Sequence, residues 1–145
     1  MPEQPATVQA WHAAVQSRDL ALLDGLLADD VVFRSPAAFA PKPGKDLTIR
    51  YLVSAIAVLG PSLRYVAEWY GQSGDRSSSG DQSSSSDRSS AVLEFEAELD
   101  GIYVHGVDML RWNNEGKLIS VTVMVRPMSG LQKLVEQVQA QLALR

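Results

Sequence analysis

Residues 91–112 read AVLEFEAELDGIYVHGVDMLRW, and the fold is decided there. Leu93, Phe95, Ala97 and Leu99 alternate with Glu94, Glu96 and Glu98, the period-two pattern of a strand with one face buried and one in water. Asp100-Gly101 is a two-residue hairpin signal. The chain then returns through Ile102 to Trp112. Val104, Gly106, Asp108, Leu110 and Trp112 share one face of this second strand, and Tyr103, His105, Val107, Met109 and Arg111 share the other. A strand that is largely apolar on both faces is covered on both.

The elements on either side fit the same sheet. Asn113-Asn114-Glu115-Gly116 makes the next turn, Lys117 to Arg126 forms the last strand, and Leu131, Leu134, Val135, Val138 and Leu142 mark an amphipathic C-terminal helix. Upstream, Leu63, Tyr65, Ala67 and Trp69 alternate with Arg64, Val66, Glu68 and Tyr70, which predicts one more strand. The first 60 residues have helical spacing instead. Val8, Trp11, His12 and Val15 lie on one helix. Asp19 caps a second helix that carries Leu20, Leu22, Leu23, Leu26 and Leu27 and closes at Asp29-Asp30. Val31 to Phe33 form a brief strand that stops at Ser35-Pro36, and a loop rich in Pro and Ala follows. Gly44-Lys45-Asp46 opens a third helix bearing Ile49, Leu52, Val53, Ile56 and Leu59, ended by Gly60-Pro61. Helices first and antiparallel strands after predict an α+β fold: one curved antiparallel sheet with helices across its concave face and one C-terminal helix.

Composition narrows the function classes. The 145 residues suit a single domain, 1–145, and 46% of them are apolar, enough for a core. With 13 basic against 17 acidic side chains, neither nucleic acid nor an anionic membrane is an expected partner. The absence of cysteine excludes disulfides, a thiol nucleophile and thiolate zinc sites. Neither an apolar run of about 20 residues nor a signal-peptide pattern is present, so the expected location is cytoplasmic. Residues 71–90, GQSGDRSSSGDQSSSSDRSS, form a low-complexity serine-rich insertion, read as a flexible loop at a hairpin tip.

Two stretches carry a family resemblance. Ser17-Arg18-Asp19-Leu20 through Leu27-Ala28-Asp29-Asp30-Val31-Val32-Phe33-Arg34-Ser35-Pro36 resembles the start of nuclear transport factor 2-like domains, the superfamily of the SnoaL-like cyclases, ketosteroid isomerases and limonene-epoxide hydrolases. Gly106 through Leu118 is similar to the hairpin that carries that family's strand aspartate. The resemblance implies a cone-shaped domain, closed by the bent sheet and three N-terminal helices over its concave face, with an apolar pocket at one end and a homodimer formed through the outer sheet face. The two-faced apolar strand 102–112 agrees with the latter, because the helices of so short a chain can cover only one side.

By position, the resemblance places the isomerase oxyanion-hole acid on Asp108. The general-base aspartate falls on Ser35 and the oxyanion-hole tyrosine on Trp11, so the acid is kept while the base and the phenol are not. A serine without a neighbouring base cannot take a proton from carbon as a carboxylate does, which argues against steroid-type isomerisation. The epoxide hydrolase pattern fails too, since Gly106 stands where it has an arginine. Asp108, on an apolar strand face, is expected to be desolvated and raised in pKa, acting as a hydrogen-bond donor to a ligand oxygen. Trp11, Ser35 and Tyr51 are the further polar candidates, and Val104, Leu110, Trp112, Val123 and Val125 the apolar wall. His12 and His105 are read as surface or interface residues. Neither histidine has a carboxylate at ligand spacing, so no metal site and no cofactor are expected.

The resulting expectation is a pocket protein for a small hydrophobic, carbonyl-bearing molecule, open to isomerase, cyclase or hydrolase chemistry but lacking the isomerase base. A non-catalytic binding module and a protein-interaction domain are the alternatives. One consequence concerns the insertion. Deleting Gly74 to Ser89 should cost about 1 kcal/mol or less, since loop length enters closure entropy only logarithmically. A thermal melt checks this, and a large fall in Tm would show that the segment packs on the domain.

Overall fold

The computed structural model describes residues 3–72 and 89–144. The core of the insertion lies outside them. Four helices, α1 (Ala6–Ser17), α2 (Leu20–Leu26), α3 (Lys45–Leu59) and α4 (Met128–Ala143), accompany six strands. The strands are β1 (Leu27–Arg34), β2 (Lys42–Pro43), β3 (Arg64–Gly71), β4 (Ser90–Leu99), β5 (Ile102–Trp112) and β6 (Leu118–Arg126). They form one curved, open sheet in the order β2-β1-β6-β5-β4-β3. None of the described helices is long and apolar enough to cross a membrane.

Turn chemistry sets the sheet. Asp100 and Gly101 both have positive φ, 50° and 81°, so β4 and β5 are joined by a two-residue turn whose twist matches the strands. Their register then pairs Leu93 with Asp108, Phe95 with Gly106 and Ala97 with Val104. Side chains paired in this way lie on the same face, and all six residues are buried or nearly so. In the next turn Asn113 Oδ1 accepts the amides of Glu115 and Lys117. The buried Thr7 hydroxyl donates to Gly116 O at 2.9 Å, tying α1 to the β5–β6 turn.

Besides β2, a two-residue strand paired with β1 where only a loop is expected, the structure departs from the sequence expectation in four places. α2 ends one residue early: Leu27 is the first residue of β1, and Asp29 and Asp30 are exposed where the register steps from Leu27–Leu118 to Val32–Ser120. β1 joins the sheet parallel to β6, so the sheet is mixed, antiparallel only from β6 through β3 and at the β1–β2 edge. Gly71 and Ser90, read as insertion, are strand residues, and Ser89 also bonds Gly71 and Trp112. A deletion of 74–88 therefore leaves the ladder whole.

The fourth departure is a bulge in β3. Tyr65 pairs with Phe95, but Ala67 already pairs with Glu94, so Val66 is the extra residue. Beyond it the faces exchange: Glu68 and Tyr70 share the side of Leu93 and Ala91, while Trp69 turns outward and is 57% exposed. Simple alternation places Trp69 beside Tyr65; the added residue reverses it.

Two apolar clusters hold the layers together. Val8, Trp11 and Val15 of α1 and Leu23 and Leu26 of α2 pack on Leu93, Leu110, Trp112, Leu118 and Val121 of the sheet. Leu134 of α4 packs with Leu59, Phe95, Ala97, Leu99 and Val104. α4 reaches the sheet at Gly130, where an added Cβ would stand 2.5 Å from Tyr103 O, a separation that no side chain tolerates.

Candidate functional site

A cavity of about 340 Å³ opens between α1, α3, α4 and the sheet. Its wall is mainly aliphatic and aromatic. α3 supplies Leu52, Ala55, Ile56 and Leu59, and α4 supplies Leu134, Val135, Val138 and Leu142. Pockets of this kind bind small molecules through apolar contact, with a few polar groups fixing orientation.

Those polar groups converge on Asp108. Its carboxyl lies on the inward face of β5, opposite Val123, and only 6% of the residue is exposed. The Tyr65 hydroxyl donates to Asp108 Oδ2 at 2.6 Å, and Trp11 Nε1 donates to the Tyr65 oxygen at 3.0 Å. Three residues from α1, β3 and β5 thus form one hydrogen-bonded chain along the cavity wall. Burial pushes the Asp108 pKa up to about 6, against the opposing pull of the Tyr65 hydrogen bond and the nearby Trp11 N–H. The Tyr65 phenol is raised well above its usual value by burial and by the charge of Asp108. Near neutral pH Asp108 therefore exchanges readily between acid and carboxylate, and Tyr65 stays a donor.

Behind Tyr65 lies a second polar group. His12 meets the Tyr65 ring edge-on, with centroids 4.7 Å apart, and its Nε2 pairs with Glu68 Oε2. Glu68 Oε1 also accepts from Tyr70 at 2.6 Å and from Gln4 at 2.9 Å. Burial alone would raise the Glu68 pKa; the hydrogen bonds from Tyr70, Gln4 and His12 outweigh it and hold the carboxyl below its ordinary value. His12 is thus half buried and paired with Glu68 rather than at the surface, because the β3 bulge turns Glu68 inward. His105 likewise pairs with Glu94 at 2.6 Å. Among the described residues no cluster of three His, Cys, Asp or Glu could hold a metal ion.

Of the residues the sequence singles out, Asp108, Trp11, Ser35, Tyr51 and Val123 border the cavity. Val104, Leu110, Trp112 and Val125 do not. Leu110 and Trp112 lie within the core under α1 and α2. Val104 is sealed beneath Leu134, and Val125 packs in the same cluster. Ser35 Oγ accepts the amides of Ala37 and Ala38 at 3.1 and 3.2 Å, so it caps the turn after β1. Tyr51 stacks on Phe33 with 5.9 Å between centroids. At the hydrolase-like arginine position, an added Cβ on Gly106 would stand 2.4 Å from Met124 O and 2.8 Å from the Phe95 ring, so that space is filled.

Sequence reasoning missed Tyr65 and the whole α4 wall. A phenol in phase with Leu63 on an apolar strand face was the available signal, since a buried tyrosine hydroxyl needs a partner.

Known proteins share this architecture. The SnoaL-like domain model matches residues 8–121. A steroid delta-isomerase from Pseudomonas aeruginosa is 35% identical, with a TM-score of 0.79, covering 96% of this chain and 90% of its own. The chain belongs to the SnoaL-like family of nuclear transport factor 2-like domains. A structure from Kribbella flavida named as a candidate ketosteroid isomerase shares the fold at 18% identity and TM-score 0.60, over 84% of this chain and 76% of that one. A candidate polyketide cyclase from Sinorhizobium meliloti does so at 15% and 0.58, over 83% and 95%. Among curated proteins there is no significant match.

The raised Asp108 pKa has a consequence for stability. Below pH ~4 the carboxyl is protonated in both folded and unfolded chains; as pH rises toward about 6 the unfolded chain ionises first, and stability falls. The loss amounts to about 3 kcal/mol at most. Urea unfolding at a series of pH values should show wild type losing stability over that window relative to Asp108→Asn, which cannot ionise. The Glu68 effect, of opposite sign, is common to both proteins and cancels.

Proposed function

We propose that this protein binds a small apolar compound through a carbonyl oxygen, with Asp108 and Tyr65 as the polar anchor. The observation that supports the reading is a carboxyl and a phenol, hydrogen bonded at 2.6 Å, on the wall of an otherwise largely apolar cavity. A ligand oxygen placed there accepts from the protonated acid, whose other oxygen keeps the hydrogen bond from Tyr65, and enolate-like charge on it is stabilised in the same way. Asp108 is the proton-exchanging group for any reaction the site performs. Ser35 does not supply the base: its oxygen caps the turn by accepting two backbone amides, and among the described residues no side-chain base is hydrogen bonded to it.

Undecan-2-one is a suitable neutral probe, followed by calorimetry or by Trp11 fluorescence. Asp108→Asn should fold and keep affinity close to wild type. Asp108→Leu alone strands the Tyr65 hydroxyl, at a cost of about 1–3 kcal/mol in stability. The double variant Asp108→Leu/Tyr65→Phe removes that pair and leaves the Trp11 indole without its acceptor, at a comparable cost of about 1–3 kcal/mol; a thermal melt checks that it folds, and it should bind the ketone about tenfold or more weakly. Wild-type affinity in the double variant would remove the anchor from the reading.

We also propose a homodimer through the outer sheet face. Val107 pairs with Met124, and Val92 pairs with both Met109 and Trp69, giving an apolar band on which Trp69 is 57% and Met124 55% exposed. Paired polar groups flank it, His105 with Glu94 and Arg64 with Glu96. A second copy would bury the band between these satisfied polar groups. Sedimentation should give a dimer at micromolar concentration, and Val107→Asp, which would bury an unpaired charge, should shift it to monomer.

A further inference from the structure

The cavity has a second charged group. β2 is only two residues long, yet it fixes Lys42 directly opposite Phe33 of β1. Paired residues of antiparallel strands project to the same face, and both side chains border the cavity. The Lys42 ammonium stands 5.4 Å from the centre of the Tyr51 ring, which itself stacks on Phe33. Among the described residues no carboxylate lies within ion-pairing distance of Lys42, whereas Lys45, three positions on, has both Asp24 and Asp29. Of the side chains that border the cavity, only Lys42 and Asp108 carry a formal charge, and they do not pair with each other.

We propose, building on the carbonyl reading above, that the occupant is an apolar keto acid whose carboxylate meets Lys42 while its carbonyl meets Asp108 and Tyr65. An ammonium is a compact point charge that needs no planar, bidentate partner. One cation balances one carboxylate. A phosphate dianion would keep an excess negative charge on a chain that already carries a net charge of -4. The ring under Lys42 limits the wandering of its long side chain, so less rotamer freedom remains to be lost on pairing.

Two matched probes test this: 10-oxoundecanoate, which has both groups, and undecan-2-one, which lacks the carboxylate. By calorimetry, wild type should bind the acid about fivefold more tightly than the ketone at low salt, an advantage that shrinks as salt rises. Lys42→Met should abolish the advantage and leave ketone affinity within about twofold, and Lys42→Arg should keep most of it. Thermal melting verifies that both variants fold. Equal binding of the two probes to wild type, or an acid advantage that survives Lys42→Met, would overturn the keto-acid assignment and make Lys42 a cover over Tyr51. Failure of undecan-2-one to bind wild type would instead take down the carbonyl reading itself.

Discussion

A carboxyl group taken out of water must be either neutral or well hydrogen bonded, and at Asp108 the protein uses some of each. The Tyr65 hydroxyl donates to it and Trp11 supports the tyrosine. Much of the rest of the architecture serves this pairing. Trp11 reaches Tyr65 only because α1 lies across the sheet, held by its apolar stripe and by the bond from Thr7 to the β5–β6 turn. Tyr65 comes from β3 and Asp108 from β5, two strand spacings apart across β4, where Tyr65 pairs with Phe95 and Asp108 with Leu93. The edge-to-face contact of Tyr65 with Phe95, 6.2 Å between centroids, fixes the phenol in that gap.

The extra residue in β3 decides what stands on either side of this network. Without it, Glu68 would point away from the helices and Trp69 toward them. With it, Glu68 meets His12, Gln4 and Tyr70 behind the Tyr65 ring, and the indole of Trp69 joins the outer face. One inserted residue therefore supplies the polar backing of the site and the most exposed aromatic group of the outer band. A bulge beside a functional residue, re-aiming the chain at an edge strand, is a common use of the device.

The fold was legible where local chemistry and global structure agree. The Asp-Gly turn, the alternation of Leu93 to Leu99, the Gly44 and Gly60 limits of α3 and the cap at Asp19 are all short-range signals, and each element stands where its residues put it. The family motif around Asp108 was equally local. What stayed hidden depends on partners far away in sequence. The parallel pairing of β1 with β6 joins residues about 90 apart, and no neighbouring side chain announces it. The β3 bulge leaves no sign in the alternation of Leu63 to Tyr70, because Glu68 and Tyr70 become inward only when His12 and Gln4 arrive from the N-terminus. α4 was recognisable as amphipathic, but the surface its apolar stripe covers depends on the close approach of Gly130 to Tyr103.

These distant contacts also explain why matching by position finds the acid but not its donor. Asp108 is held by strand register, which the hairpin fixes, so the motif locates it. Its phenol comes from β3 rather than from α1, where the isomerase pattern would put it and where Trp11 stands. The indole can donate but cannot accept, so Trp11 passes one hydrogen bond to Tyr65, and Tyr65 passes its own on to Asp108. The direction of the chain is therefore fixed, from indole to phenol to carboxylate. The Asp108 carboxyl stands at the end of that chain on the cavity wall, where burial raises its pKa to about 6.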